Sequence, residues 1–243
     1  MAAPGGPGAS ALVRTALRLG ATAPSSLVVL FHGLASDQRS LHGLALAWSA
    51  RLPGAQFVLM QAQQSSWRGG YDWLAFPRSR GAEESEADFV VEVVLPSILR
   101  CRDEVSSALE ELLSEVRLSR GRVVLAGFSQ GAAVAAYTGL AMGVGGVLPM
   151  GGPCPPRQAL LPEPAATKVC VISGKEDQSA PAAELADAFS AYAAGAPGRP
   201  GASYAGVHII PGLGHSLADQ HVEIGAGFLE EVLSSCEPGP PSS

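Results

Sequence analysis

The chain has 243 residues, of which 47% are hydrophobic and 16% are charged, so it contains enough apolar side chains for the core of one α/β domain. Its formal net charge is −6 without a concentrated basic patch, which excludes nucleic acid as an expected partner. It has no uninterrupted apolar run of about 18 residues, and we therefore expect no transmembrane helix.

The two ends of the chain have compositions that predict flexible segments around a single domain. Residues 1–10 are rich in Ala, Gly and Pro and lack the apolar region of a secretory signal, and residues 236–243 are rich in Pro and Ser. The predicted domain therefore spans residues 11–235. An organelle transit peptide is the alternative for the N-terminus, because Arg14 and Arg18 precede the first acidic residue.

The cysteines indicate a reducing compartment, so we expect the protein to be cytoplasmic. They form no C-x-x-C pair and no Cys/His grouping with the spacing of a zinc site, and we expect no metal. A chain of this size does not need disulfides to fold. The four cysteines are Cys101, Cys154, Cys170 and Cys236.

Apolar patterns in the first quarter of the chain predict an edge strand, two buried strands and a helix. Residues 12–19 alternate like an edge strand, whereas Ser26–Phe31 is continuously apolar, as in a strand buried on both faces. Residues 40–51 have helical spacing, and residues 56–60 form another strand. His32 follows the first buried strand, and we expect it to hold the next loop by hydrogen bonds, with direct catalysis as the alternative.

Residues 61–81 have no clear period and predict an irregular loop with large aromatic side chains, among them Trp67, Tyr71 and Trp73. Such a loop suits one wall of an apolar substrate pocket, so we predict substrate binding for these three residues. The alternative is that the aromatic side chains only anchor the loop on the core.

The rest of the chain alternates between strand and helix patterns. Residues 83–116 are mostly helical, and Pro96 is expected to kink or divide this segment. Strands are predicted at residues 122–126, 144–150, 168–173 and 203–210, and helices at residues 129–142, 182–194 and 218–234. This alternation implies right-handed crossovers and a mainly parallel sheet.

Residues 127–131 read GFSQG and match G-x-S-x-G between an apolar strand and an alanine-rich helix. A nucleophilic serine is held at such a strand-to-helix turn, where small neighbours let strand and helix approach. The start of the helix also provides backbone N–H groups for a developing oxyanion. We therefore predict that Ser129 is a nucleophile, and an ordinary glycine-rich turn is the alternative.

A serine nucleophile needs a base and a carboxylate, and where the serine lies at a strand-to-helix turn of this α/β type, both follow it on loops after later strands. Asp177 follows the strand at residues 168–173 and is the predicted acid, with Glu176 as its competitor. His215 follows the last strand and is the predicted base. His208 lies within a strand and His221 within a helix, so both fit the position of the base less well.

These motifs resemble the acyl-protein thioesterase and lysophospholipase-like carboxylesterase family. The resemblance covers residues 12–233 and is most specific at GFSQG. It rests on residues 31–34 (FHGL), 127–132 (GFSQGA), Gly174 with Asp177 and Pro181, and 214–216 (GHS). It implies an α/β-hydrolase fold, with a mostly parallel central sheet flanked by helices and little or no cap.

The resemblance also implies a serine hydrolase that needs no cofactor. Ser129, Asp177 and His215 would be its catalytic triad, and the backbone N–H groups of Leu34 and Gln130 its oxyanion hole. Its substrates would be acyl esters or thioesters on proteins, lysophospholipids or small alcohols. We expect at most transient contact with membranes, and a monomer or weak homodimer.

The chain departs from the family pattern where acyl-chain selection is expected. Trp67 is separated from residues 71–73 by Arg68-Gly69-Gly70, Ser179-Ala180 replaces an apolar pair, and the loop at residues 151–156 has no tryptophan. These changes leave the residues of the predicted triad intact, but they leave the identity of the substrate undetermined. A short-chain carboxylesterase and a hydrolase-fold binding protein without turnover are the alternatives.

Overall fold

In the described part of the chain, seven strands form one central sheet, and two further strands form a small hairpin beside it. The structure is a computed structural model that describes residues 10–74, 79, 81–152, 167–180 and 204–234. The strands are β1 (Leu17–Gly20), β2 (Ser26–Phe31), β3 (Ala55–Met60), β4 (Gln64–Ser65), β5 (Tyr71–Asp72), β6 (Val123–Phe128), β7 (Gly146–Met150), β8 (Lys168–Gly174) and β9 (Tyr204–Ile210).

The sheet is mainly parallel, as the alternation of strand and helix patterns predicts. Its strand order is β1-β3-β2-β6-β7-β8-β9. Within the described strands, β1 pairs antiparallel with β3, and the other neighbours pair in parallel. The carboxyl ends of β2, β3, β6, β8 and β9 therefore meet at one edge of the sheet, which is where ligand sites form in such sheets.

Helices cover both faces of the sheet. They are α1 (Ala11–Thr15), α2 (His42–Arg51), α3 (Glu86–Phe89), α4 (Leu95–Val116), α5 (Gln130–Met142) and α6 (Asp219–Ser234). One apolar cluster joins α1, α4 and α5 to the face that includes Val29 of β2. The other joins α2 and α6 to the face that includes Val28. Since neighbouring residues of a strand point to opposite faces, β2 is buried on both sides.

The edge strand predicted at residues 12–19 is wrong in its first half. The hydroxyl of Ser10 accepts a hydrogen bond from the N–H of Val13 and caps the short helix α1. Leu12 and Val13 are buried in the cluster that contains α4, and β1 begins only at Leu17. The helix forms because this capping bond and the apolar contacts with α4 outweigh the alternating pattern.

Pro96 divides the helical segment, as predicted, but it does so at the start of a helix. The segment consists of α3, five residues of π-helix at Val90–Val94, and the long helix α4. Pro96 lies in the first turn of α4, where a missing N–H removes no helical hydrogen bond. In the described residues no helix is long and apolar enough to cross a bilayer.

Several predictions lie outside the described residues. They are the helix at residues 182–194, most of the loop at residues 151–164, and the terminal segments 1–9 and 235–243.

Two predicted segments contain additional short elements. The helix predicted at residues 40–51 is α2, and a 3₁₀ turn at Gln38–Leu41 precedes it. Residues 61–81 contain the hairpin of β4 and β5, which their sequence does not predict because each strand has two residues.

Candidate active site

Ser129 lies at a sharp turn between β6 and α5. Its φ of 55° and ψ of −119° are strained for a residue with a side chain, and its N–H donates to the Met150 carbonyl at 3.0 Å. A Cβ atom at Gly127 would collide with the backbone of Gly131, and one at Gly131 would collide with the Phe31 carbonyl. Glycine is therefore required on both sides of Ser129 for strand and helix to meet.

His215 lies between Ser129 and Asp177. Its Nε2 is 2.9 Å from Ser129 Oγ, and its Nδ1 is 2.8 Å from Asp177 Oδ2. Asp177 Oδ1 accepts hydrogen bonds from the backbone N–H groups of Ser179 at 2.8 Å and Ala180 at 3.0 Å. With Nδ1–H donating to this carboxylate, Nε2 is left to accept the hydroxyl proton of Ser129.

The surroundings of His215 hold the imidazole against Asp177. The Asp177 side chain is fully buried, whereas 31% of the His215 side chain is exposed to solvent. The Phe128 ring packs on the imidazole with its centroid 4.9 Å away. Gly151 has a φ of 53°, and a Cβ atom there would come within 3.3 Å of Asp177 Oδ2. Aromatic contact and a close backbone approach thus limit the movement of both side chains.

The predicted donors of an oxyanion hole are the backbone N–H groups of Leu34 and Gln130. Gln130 begins α5, so its N–H has no acceptor within the helix. Leu34 belongs to the turn after β2. Within the described part of the chain, neither N–H donates a hydrogen bond to another group of the protein. Both N–H groups are therefore free to donate to a bound ligand, as the predicted oxyanion hole requires.

His32 is completely buried and holds the loop that carries Leu34. Its Nδ1 is 2.8 Å from the Gly33 carbonyl, and its Nε2 accepts the N–H of Ala62 at 3.2 Å. Burial lowers the pKa of His32, which keeps the imidazole neutral with the proton on Nδ1. These hydrogen bonds agree with the expected role of holding the loop, and the ring makes no contact with Ser129 Oγ.

The hairpin of β4 and β5 supports the same loop from the other side. Asp72 Oδ1 accepts the N–H of Ala35 at 2.7 Å, and Trp73 Nε1 donates to the His32 carbonyl at 2.9 Å. Ser36 and Tyr71 exchange two backbone hydrogen bonds, at 2.7 and 3.3 Å. Ala35 has a φ of 53°, so this loop has a conformation that a side chain disfavours and that these bonds must maintain.

A sequence profile of phospholipases and carboxylesterases matches residues 15–233. The chain belongs to the Phospholipase/Carboxylesterase family. This confirms the family that the motifs resemble, and ester hydrolysis is the chemistry of that family. The strand order and the covering helices confirm the predicted α/β-hydrolase fold.

Solved structures of two esterases and of SOBER1 share this architecture. Esterase PE8 superposes with a TM-score of 0.73 at 25% identity, over 89% of this chain and 98% of that chain. The carboxylesterase of Bacillus cereus gives a TM-score of 0.69 at 18% identity, over 89% of this chain and 93% of that chain. SOBER1 of Arabidopsis thaliana gives 0.66 at 19% identity, over 86% of this chain and 99% of that chain.

In this family member, Ser129 and His215 face an open pocket of about 660 Å³. Its lining combines apolar and polar side chains. The apolar ones are Leu34, Leu41, Phe128 and Leu217, and the polar ones include Ser36, Ser40, Ser179 and Arg68. Within the described residues, no group of three or more His, Cys, Asp or Glu side chains is placed to hold a metal ion.

The three aromatic residues predicted to bind substrate do not line this pocket in the described structure. Trp73 is only 8% exposed and packs edge-on against Phe31 in the core. Trp67 is 86% exposed, and Tyr71 pairs with the loop after β2. The hairpin thus anchors itself with Trp73, as the alternative interpretation expected, and presents Arg68 to the pocket instead.

Sequence reasoning missed two supporting side chains of this site. One is Asp72, and the other is the carboxamide of Gln130, whose Oε1 accepts the N–H of Trp73 at 2.7 Å. In the sequence, residues 71–73 stand out only as part of a departure from the family pattern, and this pattern does not show what the Asp72 carboxylate binds. Gln130 thereby links the first turn of α5 to the hairpin that supports the Leu34 loop.

Proposed function

We propose that this protein is a serine hydrolase that cleaves carboxylic esters or acyl thioesters through an acyl-enzyme intermediate. Ser129 is the nucleophile, His215 the general base and acid, and Asp177 the residue that orients His215. The observation that carries the proposal is the continuous hydrogen-bonded line from Asp177 through His215 to Ser129, with distances of 2.8 and 2.9 Å, at a strained strand-to-helix turn.

In the first half of the reaction, Ser129 Oγ attacks the acyl carbonyl carbon while its proton passes to His215 Nε2. The carbonyl oxygen becomes an oxyanion, which accepts hydrogen bonds from the N–H groups of Leu34 and Gln130. The bond to the leaving oxygen or sulfur then breaks, and that atom takes the proton from Nε2. An alcohol or thiol departs, and the acyl group stays on Ser129.

In the second half, water replaces the alcohol or thiol. It gives one proton to His215 Nε2 as its oxygen attacks the acyl carbon. When the tetrahedral intermediate collapses, Ser129 Oγ leaves and recovers that proton, and the carboxylic acid is released. Asp177 stabilises the imidazolium in both halves and keeps Nδ1 as the donor.

A fluorophosphonate probe tests the nucleophile directly. We expect the wild-type protein to be labelled covalently and Ser129→Ala to remain unlabelled. Ser36→Ala is the matched control, because Ser36 lines the same pocket and its variant should still be labelled. Equal labelling of wild type and Ser129→Ala, or no labelling of wild type, would contradict the proposal.

A short-chain carboxylesterase is the second candidate, and the polar part of the pocket lining favours it. Hydroxyl groups and a guanidinium beside the nucleophile disfavour a long saturated chain, whose binding depends on apolar contact. A chain-length series of p-nitrophenyl esters and acyl thioesters separates the two. A maximum at acetyl or butyryl would select the short-chain esterase, and a rising kcat/KM up to palmitoyl would select the long-acyl enzyme.

A further inference from the structure

Arg68 lines the pocket that contains Ser129 and His215. Its guanidinium lies over the indole of Trp67, with Cζ 4.9 Å from the ring centroid. Among the described residues, Arg18, Arg51 and Arg120 each form an ion pair with a glutamate, whereas Arg68 forms none. In a chain with a formal net charge of −6, a positive group in the same pocket as the nucleophile suits an anionic ligand.

The hairpin fixes the position of Arg68 relative to the oxyanion loop. The turn closes through hydrogen bonds from Ser66 N–H to the Gly70 carbonyl at 2.9 Å and from Gly69 N–H to the Ser66 carbonyl at 3.1 Å. Gly70 has a φ of 70°, and a Cβ atom there would lie 2.7 Å from the Ala35 carbonyl. The backbone of Arg68 therefore belongs to a turn that packs closely against the loop containing Ala35.

The strand order places Arg68 and His215 on opposite sides of Ser129. Ser129 follows β6, Asp177 and His215 follow β8 and β9 on one side, and the hairpin follows β3 on the other. The leaving group must lie near His215 Nε2, because it takes its proton from there. The remainder of the acyl group extends away from His215, toward the side of the hairpin.

We propose, on the basis of the function proposed above, that the acyl group of the substrate carries a terminal carboxylate that binds Arg68. The substrates are then half-esters or half-thioesters of dicarboxylic acids. The planar guanidinium can donate two parallel hydrogen bonds to a carboxylate, and its contact with Trp67 limits its movement. Leu34 and Leu41 offer apolar contact to the methylene groups between the two carbonyl carbons.

Two matched pairs of esters test this assignment. The first pair places the charge on the acyl group and compares the p-nitrophenyl monoester of adipate with p-nitrophenyl hexanoate. The second places the charge on the leaving group and compares p-carboxyphenyl hexanoate with p-acetylphenyl hexanoate. The ratio of kcat/KM within each pair is measured for each variant, so the folded fraction cancels, and the spontaneous hydrolysis of each ester is subtracted.

We expect Arg68→Gln to lower the adipate-to-hexanoate ratio by about fivefold, as for the loss of a partly exposed charged hydrogen bond. Arg68→Lys should keep part of the preference, since it retains the charge but loses the planar fork. Arg39→Gln removes the same charge from an exposed side chain of the 3₁₀ turn at Gln38–Leu41. Arg39 itself is not among the residues that line the pocket, and its variant should change the ratio by less than about twofold. The wild-type ratio should fall as salt is added.

An unchanged adipate-to-hexanoate ratio in Arg68→Gln would overturn the assignment, provided that hexanoate is hydrolysed. A loss confined to the leaving-group pair would overturn it as well, because Arg68 would then face the other part of the substrate. Failure of wild type to hydrolyse any of the four esters and to react with a fluorophosphonate would instead contradict the proposed function itself, and this substrate class with it.

Discussion

The two sides of Ser129 are built in different ways. On the acid–base side, formed by the loops after β8 and β9, the His215 side chain contacts Ser129 Oγ, and the Asp177 side chain contacts His215 from behind. On the oxyanion side, formed by the loop after β2 and the hairpin of β4 and β5, the proposed donor is the backbone N–H of Leu34. Its position depends on hydrogen bonds made by Asp72 and Trp73.

This difference shows why one side can be found from residue types and the other cannot. An aspartate and a histidine that follow successive strands after a G-x-S-x-G turn indicate a catalytic acid and base by their residue types and their order alone. A backbone N–H exists at almost every residue, so only its conformation and its support make it special. We therefore expect changes on the acid–base side to act on the proton transfers, and changes on the oxyanion side to act through loop geometry.

The largest effect is expected for Asp177→Asn. The amide oxygen can keep the hydrogen bonds from Ser179 and Ala180, so its NH₂ group faces His215 Nδ1 and forces the proton onto Nε2. Nε2 then cannot accept from Ser129, and kcat should fall by about 10⁴-fold. Steady-state kinetics on a p-nitrophenyl ester measure this. Glu176→Gln, at the exposed neighbouring position, is the control, and equal losses in both variants would contradict the assignment of the acid.

A smaller loss should follow Asp72→Ala on the oxyanion side. Removing the acceptor of the Ala35 N–H frees a loop with a positive φ at Ala35, and the Leu34 N–H loses its alignment. We expect kcat to fall by about 10- to 100-fold, less than for the outright loss of an oxyanion donor. Asp72→Asn keeps an acceptor oxygen and should recover most of the activity. If Asn and Ala variants were equally impaired, the hydrogen bond to Ala35 would not be the cause.

Two conservative substitutions compare how much the buried and the exposed tryptophan near the hairpin contribute to stability. Trp73→Phe removes the donor to the buried His32 carbonyl and should lower the free energy of unfolding by about 1–3 kcal/mol. Trp67→Phe changes an indole that is 86% exposed and should cost less than about 0.5 kcal/mol. Urea denaturation of the two variants measures this difference, and similar midpoints would show that Trp73 does not anchor the loop.

A buried histidine on each side makes stability depend on pH. Burial lowers the pKa values of His32 on the oxyanion side and His221 beside the His215 loop. In the unfolded chain a histidine binds its proton near pH 6.5, so the contribution of each neutral ring is complete above about pH 6.5. It declines as the pH falls below that value, because the unfolded state takes up protons that the folded state does not.

The slope of the unfolding free energy against pH between about pH 6.5 and about pH 5 measures this linkage. His32→Gln and His221→Gln should each reduce the slope, although both also lower stability near neutral pH by removing buried hydrogen bonds. His42→Gln is the control, since His42 is exposed at the start of α2. A slope that neither of the first two variants reduces would contradict the linkage to these rings.

Most of the sheet was predictable from sequence, and most of the loop support was not. Continuous apolar runs located β2 and β3 to within a residue because strands buried on both faces require them. The strand predicted for the first half of residues 12–19 was wrong, because a capping serine and contacts with α4 stabilise a helix there. The hairpin of β4 and β5 was not predicted, because strands of two residues are too short to show an alternating pattern.

The sequence by itself determined the family, the mainly parallel sheet, and the order of Ser129, Asp177 and His215, because these depend on residue types and their spacing. Only the tertiary structure decided how the Leu34 loop is held and what faces the pocket. The bond from Ala35 to Asp72 spans 37 positions, and that from Trp73 to Gln130 spans 57. Contacts over such separations depend on how strands and helices pack, and packing also turns Trp73 into the core and places Arg68 in the lining of the pocket that contains the serine.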